Sequence, residues 1–571
     1  LPPQYRAALV ALCAAIAVSL FTSARPALAQ VNTSGIVYAF QAGMFVPLPP
    51  DGNDLDFVVN PNPPPPDNRD TFEFNLDPLP LGDNEEAIIV GKGGAGSVVI
   101  LENTVLRSEH LIIGDTGTVG TIDRGGTGTF RVTGFGASFN NAIAITDLLP
   151  SVLNVYPYPG TARPTVLTRG EGYDVIVGRR DPSAGVGLVG GTGTLWIDSG
   201  GSVQVEDALL VANDQGSRGT IVVDGPETYL ASGGFDMGNV NDVHSMIIGR
   251  HGIGTMTVSN GATVVSEAFA GTAPNTFVNL GAVIGSDPTP DAGGFPLGGH
   301  GTVTVTGVAS SIPSPPEVPS KWVIGGSLQI GGFDDANNVG VGRDFEGDDV
   351  DYPTQTGVGT LRVNDGGVVT IRAPITGLTQ ADRLMLAIGR FGRLELDNGS
   401  VLLGDSERTR DFQLISDGTI TGAGRIDTGL FDNRLQGQLL INAGQKMIIA
   451  ASADIPDGIT TPPTEPLLNH GLIEVIGTVD NRAELEIERA LDTMTPLQAI
   501  KRLINRLVIL PGAPGSTTRF NGGLINVQHG TLRLGSGMFN EGVLAFTAGT
   551  NIVKGTIINR ANVLNGFAPR I

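Results

Sequence analysis

Cysteine is nearly missing: one residue, Cys13, in a chain of 571. A disulfide framework is therefore excluded, and so is a Cys-based zinc site or a Cys-x-x-Cys redox centre. Aromatic residues make up 5%, with 2 tryptophans, which argues against a β-propeller or another fold built on large aromatic cores. Charged residues are 16%, and Lys plus Arg number 35 against 57 Asp plus Glu, for a net charge of -22. That balance argues against nucleic acid as a partner, since phosphate contacts need a positive surface. Beyond the N-terminal region no apolar run approaches the ~20 residues of a spanning helix, so no transmembrane segment is expected in the mature chain.

The N-terminal stretch LPPQYRAALVALCAAIAVSLFTSARPALAQ has one early arginine, a short apolar run from Ala7 to Phe21, and the small-x-small sequence Ala27-Leu28-Ala29. It predicts an export signal over residues 1–29, cleaved before Gln30. Cleavage would remove the single cysteine with Arg6 and Arg25, taking the charge from -22 to -24. The mature protein is expected outside the cell, secreted or held at a bacterial outer surface. Residues 30–84 follow as a distinct leader, in which PLPPDGNDLD and NPNPPPPDNRD remove the N–H donors that ladders need. An extended spacer or N-terminal cap is the expectation.

What the chain has in abundance is glycine, 82 residues, interleaved with Val, Ile and Thr. From residue 85 to 409 two phrases recur. One is a Gly-Thr pair followed by alternating apolar residues, as in GGTGTLWIDSGGSVQV, GIGTMTVSNGATVV, HGTVTVTGVASSI and GVGTLRVNDGGVVTI. The other precedes it: EAIIVGKGG, HLIIGDTG, DVIVGRR, MIIGRHG and LAIGRFG. The Gly-Thr glycines fall at Gly193, Gly219, Gly254, Gly301 and Gly359, at widening intervals. Corner insertions of unequal length between strands of fixed length produce that pattern. In TMTV, Met256 and Val258 share one face while Thr255 and Thr257 share the other. A strand that short buries its apolar face only by stacking. The expectation is an all-β fold: a right-handed parallel β-helix (β-solenoid) with irregular corner insertions and one short helix.

The wording shifts near residue 410. NRLQGQLLINAGQKMIIAAS and NHGLIEVIGTVDNRAELEIE have longer apolar strings, so 410–571 reads as a divergent C-terminal part of the solenoid. The helix is expected near 495–509: Thr495 can cap, Pro496 suits the first turn, and LQAIKRLINRLVI follows. With these phrases in hand, the chain resembles bacterial autotransporter passenger domains, and FNGGLINVQHGTLRLGSG resembles filamentous-haemagglutinin-like exported β-helix surface proteins. The resemblance implies a parallel β-helix displayed or released for adhesion, aggregation or surface structure. It carries over no binding residue, because the matching positions are scaffold positions. The sequence after VKGTII, NRANVLNGFAPRI, shows no translocator-barrel pattern, which leaves the export route open.

Chemistry-bearing residues are few. GRHGIG, containing Gly249, Gly252 and Gly254, does not fit a dinucleotide fingerprint and precedes a strand rather than a helix, so it reads as a scaffold corner. His110, His244, His251, His300, His470 and His529 lack metal-site spacing. Asp198, Asp224, Asp365 and Asp397 follow apolar-x-apolar strands and read as corner residues. The ion-binding candidate is the acidic phrase with Asp334, Asp335, Asp344, Glu346, Asp348, Asp349 and Asp351, hard oxygen ligands of the kind that suit Ca2+, against the alternative of a solvated insertion. Tyr156 and Tyr158 stand in another insertion, where they can stack on sugar or pack on the coil. No catalytic residue and no organic cofactor is expected. The functional expectation is a non-catalytic extracellular structural or adhesive protein that engages extracellular matrix, surface polysaccharide, neighbouring cells or further copies of itself. The alternatives are a β-helix polysaccharide lyase or glycoside hydrolase, or a carbohydrate-binding module.

Overall fold

The structure, a computed structural model, describes residues 31–35, 37–41, 44–47, 58–59 and 70–73, and most of 87–559. It leaves out short connections and the longer insertions 141–174, 181–189, 234–245, 268–279, 286–297, 310–317, 333–356, 373–383, 405–411, 452–466, 492–499 and 511–518. The expected signal at 1–29 and most of the proline-rich leader lie outside the described residues.

Each coil of the chain lays down three short strands, each hydrogen-bonded in parallel to its equivalents one coil before and one coil after. In one coil these are Met246–Ile248 on the first face, Ile253–Ser259 on the second and Thr263–Glu267 on the third. They pair with Leu209–Val211, Arg218–Asp224 and Tyr229–Gly233 in the preceding coil. First-face strands make up a 16-stranded sheet, while the second and third faces join into one of 27 strands because Gly392–Leu403 and Thr419–Thr428 run round the corner without a break. The result is the right-handed β-solenoid that the repeats predict. Pairing continues without interruption past residue 410, from Gly392–Leu403 to Thr419–Thr428 and on to Gln438–Ile441. At the N-terminal end Val31–Gly35 and Val37–Gln41 pair antiparallel with the first coil, at Ala95–Ile100 and Ala87–Lys92.

Alternation does the packing. Along Ile253–Ser259 every second residue is buried, so Gly254, Met256 and Val258 face the core and Thr255 and Thr257 face out. The inward residues of all coils merge into a single apolar column from Ile88 to Leu544, widened at Phe130, Trp322 and Phe431. Stacked coils supply each other with both apolar contact and backbone hydrogen bonds, which explains why strands of three to seven residues suffice.

The two repeated phrases turn out to be two sides of one contact. Gly249 ends a first-face strand at φ +77, and a Cβ there would sit 2.3 Å from the carbonyl oxygen of His300. In return, a Cβ on Gly301 would sit 2.1 Å from the oxygen of Ile248 and 2.4 Å from the nitrogen of Gly285. Backbone lies directly on backbone at this corner, and the same fit recurs where Gly114 meets Gly193 and Gly285 meets Gly359. One coil breaks the rule with Ala212, at φ 56.

Toward the C-terminus this corner is built differently. Asn433, Asn469, Asn505 and Asn540 point into the core, fully buried, and each amide donates to the next carbonyl oxygen at 2.7, 2.8 and 2.8 Å. Asn540 continues to Asn559 at 3.1 Å. Asn433 and Asn505 also donate to the backbone oxygens of Leu472 and Val543, at 3.2 and 3.1 Å. The change in wording near residue 410 is the exchange of the inward isoleucine and the glycine after it for an asparagine and a polar residue, while the second-face glycines Gly418, Gly437 and Gly471 keep their close approach to backbone.

The helix expected near 495–509 is not there: Ile500–Lys501, Leu503–Arg506 and Val508–Leu510 are strands. Leu503 and Asn505 face the core while Ile504 is buried on the outer side, so both sides of the strand are apolar or buried, and the run imitates a helical stripe. Tertiary pairing with Leu467–Asn469 and Met538–Glu541, together with the place of Asn505 in the amide row, overrides helix propensity. Thr495 and Pro496 lie outside the described residues.

Four substitutions test this account by thermal or denaturant unfolding. Gly301→Ala forces a Cβ into backbone and should cost about 3 kcal/mol or more, whereas Ala212→Gly relieves a left-handed alanine and should gain about 0.5 kcal/mol. Asn505→Ala strands two buried amides and should cost about 3 kcal/mol, against under about 1 kcal/mol for Asn559→Ala at the exposed end of the row.

Candidate binding face

The three outer faces differ in chemistry. On the first face the outward residues Ile89, Ile112, Leu210, Ile247, Val283, Ala387 and Ile415 are apolar and buried, while Ile176 in the same column is half-buried and Gln329 is a buried amide. Most of the long insertions named above enter or leave this face. The third face is mixed: Glu267 pairs with Arg372 two coils on, reaching across Gly325, where a Cβ would collide with the Glu267 carboxylate. Tyr229 packs beside this pair, and burial first, then the Glu267 charge, push its phenol well above the usual range.

The second face is accessible and regular. Because the Gly-Thr glycine must point inward at the corner, the threonine after it must point outward. Register then aligns Ser97, Thr129, Thr194, Thr220, Thr255, Thr302 and Thr360 in one row. The row advances ~4.8 Å per coil, the spacing of paired strands. All seven hydroxyl residues are partly exposed, and Thr255 Oγ1 lies 3.2 Å from Thr220 Oγ1. The row ends at Arg393, the residue in register after Thr360.

Apolar side chains flank the hydroxyls. Ile253 and Val358 lie in the outward row on one side, together with exposed Arg218 and His300, and Trp196 and Val222 lie in the row on the other, together with Arg131 and Arg362. Trp196, Ile253, Val358 and Phe391 are 42, 42, 36 and 48% exposed, four of the seven large apolar residues exposed among those described. Arg131 lies 5.6 Å from the Trp196 ring centre, and its guanidinium is held by Asp198 at 2.7 and 2.9 Å. Further along, Arg362 donates to Glu395 at 2.7 Å, and Arg393 also pairs with it. Burial works to raise the Glu395 pKa, but the hydrogen bond from Arg362 and the charge of Arg393 outweigh it and hold the carboxyl below its usual range.

The corner aspartates behave as expected of corner residues. The carbonyl of Asp198 accepts from Gly201 N and that of Asp224 from Thr228 Oγ1, closing the turn from second to third face. Ser199, Asn260, Asp365 and Asn398 take the left-handed conformation at that turn. Asp397 lies within the continuous strand Gly392–Leu403. The Ca2+ candidates Asp334, Asp335, Asp344, Glu346, Asp348, Asp349 and Asp351 lie outside the described residues, as do Tyr156, Tyr158 and His244. Among the described residues no group of three or more His, Cys, Asp or Glu is placed to hold a metal. His251 sits in the glycine corner, His300 at the exposed start of a second-face strand, and His470 3.8 Å from Asp432.

Sequence reasoning missed two charged clusters at the corner between first and second faces. Fully buried Asp115 joins Lys92 and Arg179 from the coils on either side, at 3.2 Å each. Next to it, Asp214 accepts from the backbone N–H of Arg180 at 3.0 Å and from Asn213 at 3.2 Å. Burial raises the Asp214 pKa despite those bonds and the nearby charges of Arg179 and Arg250. The residue after each corner glycine, or after Ala212, forms one column, a signal visible only once the coils are aligned.

No protein-family model matches the chain, and no curated protein matches it. Among solved structures, the chain is similar to the crystal structure of a TibC-catalysed hyper-glycosylated TibA fragment. The two are 10% identical, the match covers 88% of this chain and 97% of the other, and the TM-score is 0.28.

Asp214 offers a pH test. A carboxyl whose pKa is raised by folding favours the fold while protonated, and that contribution is lost as pH rises through the folded value. Asp214→Asn should therefore raise the melting temperature at pH 7, with the advantage shrinking toward zero as pH falls to about 4, the unfolded pKa.

Proposed function

We propose that the chain is a non-catalytic extracellular scaffold that works by adhesion, with the second face as its contact surface. The observation that carries this reading is the asymmetry of the outer faces: from Ile89 to Ile415 the first has its outward apolar side chains buried apart from Ile176, and the second repeats one accessible hydroxyl through seven coils with large apolar residues beside it. A long, flat and uniform surface suits many weak contacts summed along its length, whereas chemistry needs a few unlike groups converging on one point. The charged side chains Arg131, Asp198, Arg362 and Glu395 on this face are engaged with one another. The acidic overall charge favours solubility at an exposed surface and disfavours contact with polyanions. The export-signal pattern at 1–29 supports an extracellular location, and the second face leaves room for neighbouring cells or matrix as partners.

Beads coated with the mature chain should adhere to bacterial cells or matrix-coated surfaces. The same chain, incubated with a panel of acidic and neutral polysaccharides, should release no oligosaccharide. Product release measured as new reducing ends or unsaturated uronic absorbance would overturn the reading in favour of the lyase or hydrolase alternative.

A further inference from the structure

Resting on that reading, we infer that the second face binds an extended neutral polysaccharide lying along the solenoid axis over the row from Thr129 to Thr360. Three observations lead there. The row is uncharged from Ser97 to Thr360, and of the arginines beside it Arg131 and Arg362 are held by Asp198 and Glu395 while Arg218 is exposed. In a protein whose net charge is -22, an acidic polymer is therefore repelled by the whole and offered little compensation along the row. A threonine hydroxyl carries a donor and two acceptors on a rigid backbone, the same dual capacity as a sugar hydroxyl, and costs little entropy to immobilise. Thr255 directs its donor at Thr220, while Thr302 and Thr360 make no such bond among the described residues. Exposed Trp196, Ile253 and Val358 flank the row and match the apolar C–H faces of pyranose rings, which hydroxyl rows alone do not.

Spacing agrees with chemistry. Coils repeat at ~4.8 Å, and an extended chain of pyranoses advances by about one ring length per sugar, so successive sugars meet successive hydroxyls. Individually weak contacts then add along the polymer. The scaffold does not itself require threonine here. The position is outward, and valine is an equally good strand former, so apart from the bond of Thr255 to the preceding coil the hydroxyl is the part of the residue that the scaffold does not use.

The test is native affinity electrophoresis of the full chain through gels containing hydroxyethylcellulose, alginate or no polymer. Retardation by hydroxyethylcellulose but not by alginate is expected. Thr302→Val with Thr360→Val should keep the melting temperature while weakening binding about tenfold, and Trp196→Ala should weaken it about fivefold. Absence of retardation by the neutral polymer, stronger retardation by alginate, or full binding by the folded double valine variant would overturn the assignment. If coated beads still adhere to cells while the neutral polymer fails to bind, the adhesive reading stands and this ligand class falls. If neither occurs, both fall.

Discussion

The whole solenoid hangs on one close approach: the backbone at the end of each first-face strand lies against the backbone that opens the second-face strand one coil later. Gly249 against Gly301 shows the tolerance, since a Cβ on either would stand within 2.3 Å of a carbonyl oxygen. That contact fixes the coil-to-coil step at the sharpest corner, so strands on either side fall into register. Register in turn decides which side chains face the core, because a slip of one residue would exchange Met256 and Val258 for Thr255 and Thr257. Glycine is frequent in this chain chiefly because every coil must pass this point.

Past residue 410 the same problem is solved with side chains. Asn433, Asn469 and Asn505 occupy the inward position that Ile248, Ile284 and Ile330 hold in earlier coils, and their amides bind each other and the backbone of the next coil. Each amide from Asn433 to Asn505 has an acceptor in the asparagine of the next coil, so the row is continuous where it occurs and does not mix with isoleucine. Ser416, buried just ahead of Asn433, marks the handover. Glycine corners tolerate long excursions such as 286–297 and 333–356, and the asparagine region carries its own at 452–466 and 511–518.

How much of this was legible in the sequence varied by element. Strand alternation in the Gly-Thr phrases reads directly, since TMTV and TVTV leave one assignment of faces, and the left-handed corner at Asn260-Gly261 follows from local chemistry. The segment around Leu503–Arg506 was misread because it is buried on both sides, where apolar periodicity loses its meaning. The face itself was half visible: the threonines could be placed outward, but their alignment into one row depends on register across coils separated by insertions of different length. The column of Lys92, Asp115 and Arg179 was hidden for the same reason, since its members lie 23 and 64 residues apart.

The Gly-Thr dipeptide ties scaffold to surface. Its glycine is demanded by the corner and its threonine is placed by that demand, so every coil that closes correctly also sets one more hydroxyl in line. Insertions on the flanks of the first face can lengthen or shorten without moving the row, because they leave and re-enter the coil outside the second-face strands. The tight turn from second to third face, closed within a few residues by Ser199-Gly200, Asn260-Gly261 and Asp365-Gly366, keeps the far edge of the row fixed in those coils, and in the coil of His300–Thr306 the hairpin of Val308–Ala309 with Val318–Pro319 takes its place. A surface built this way is insulated from the most variable parts of its own chain. That insulation is what a long repetitive ligand requires, since a single displaced coil would break the match for every contact beyond it.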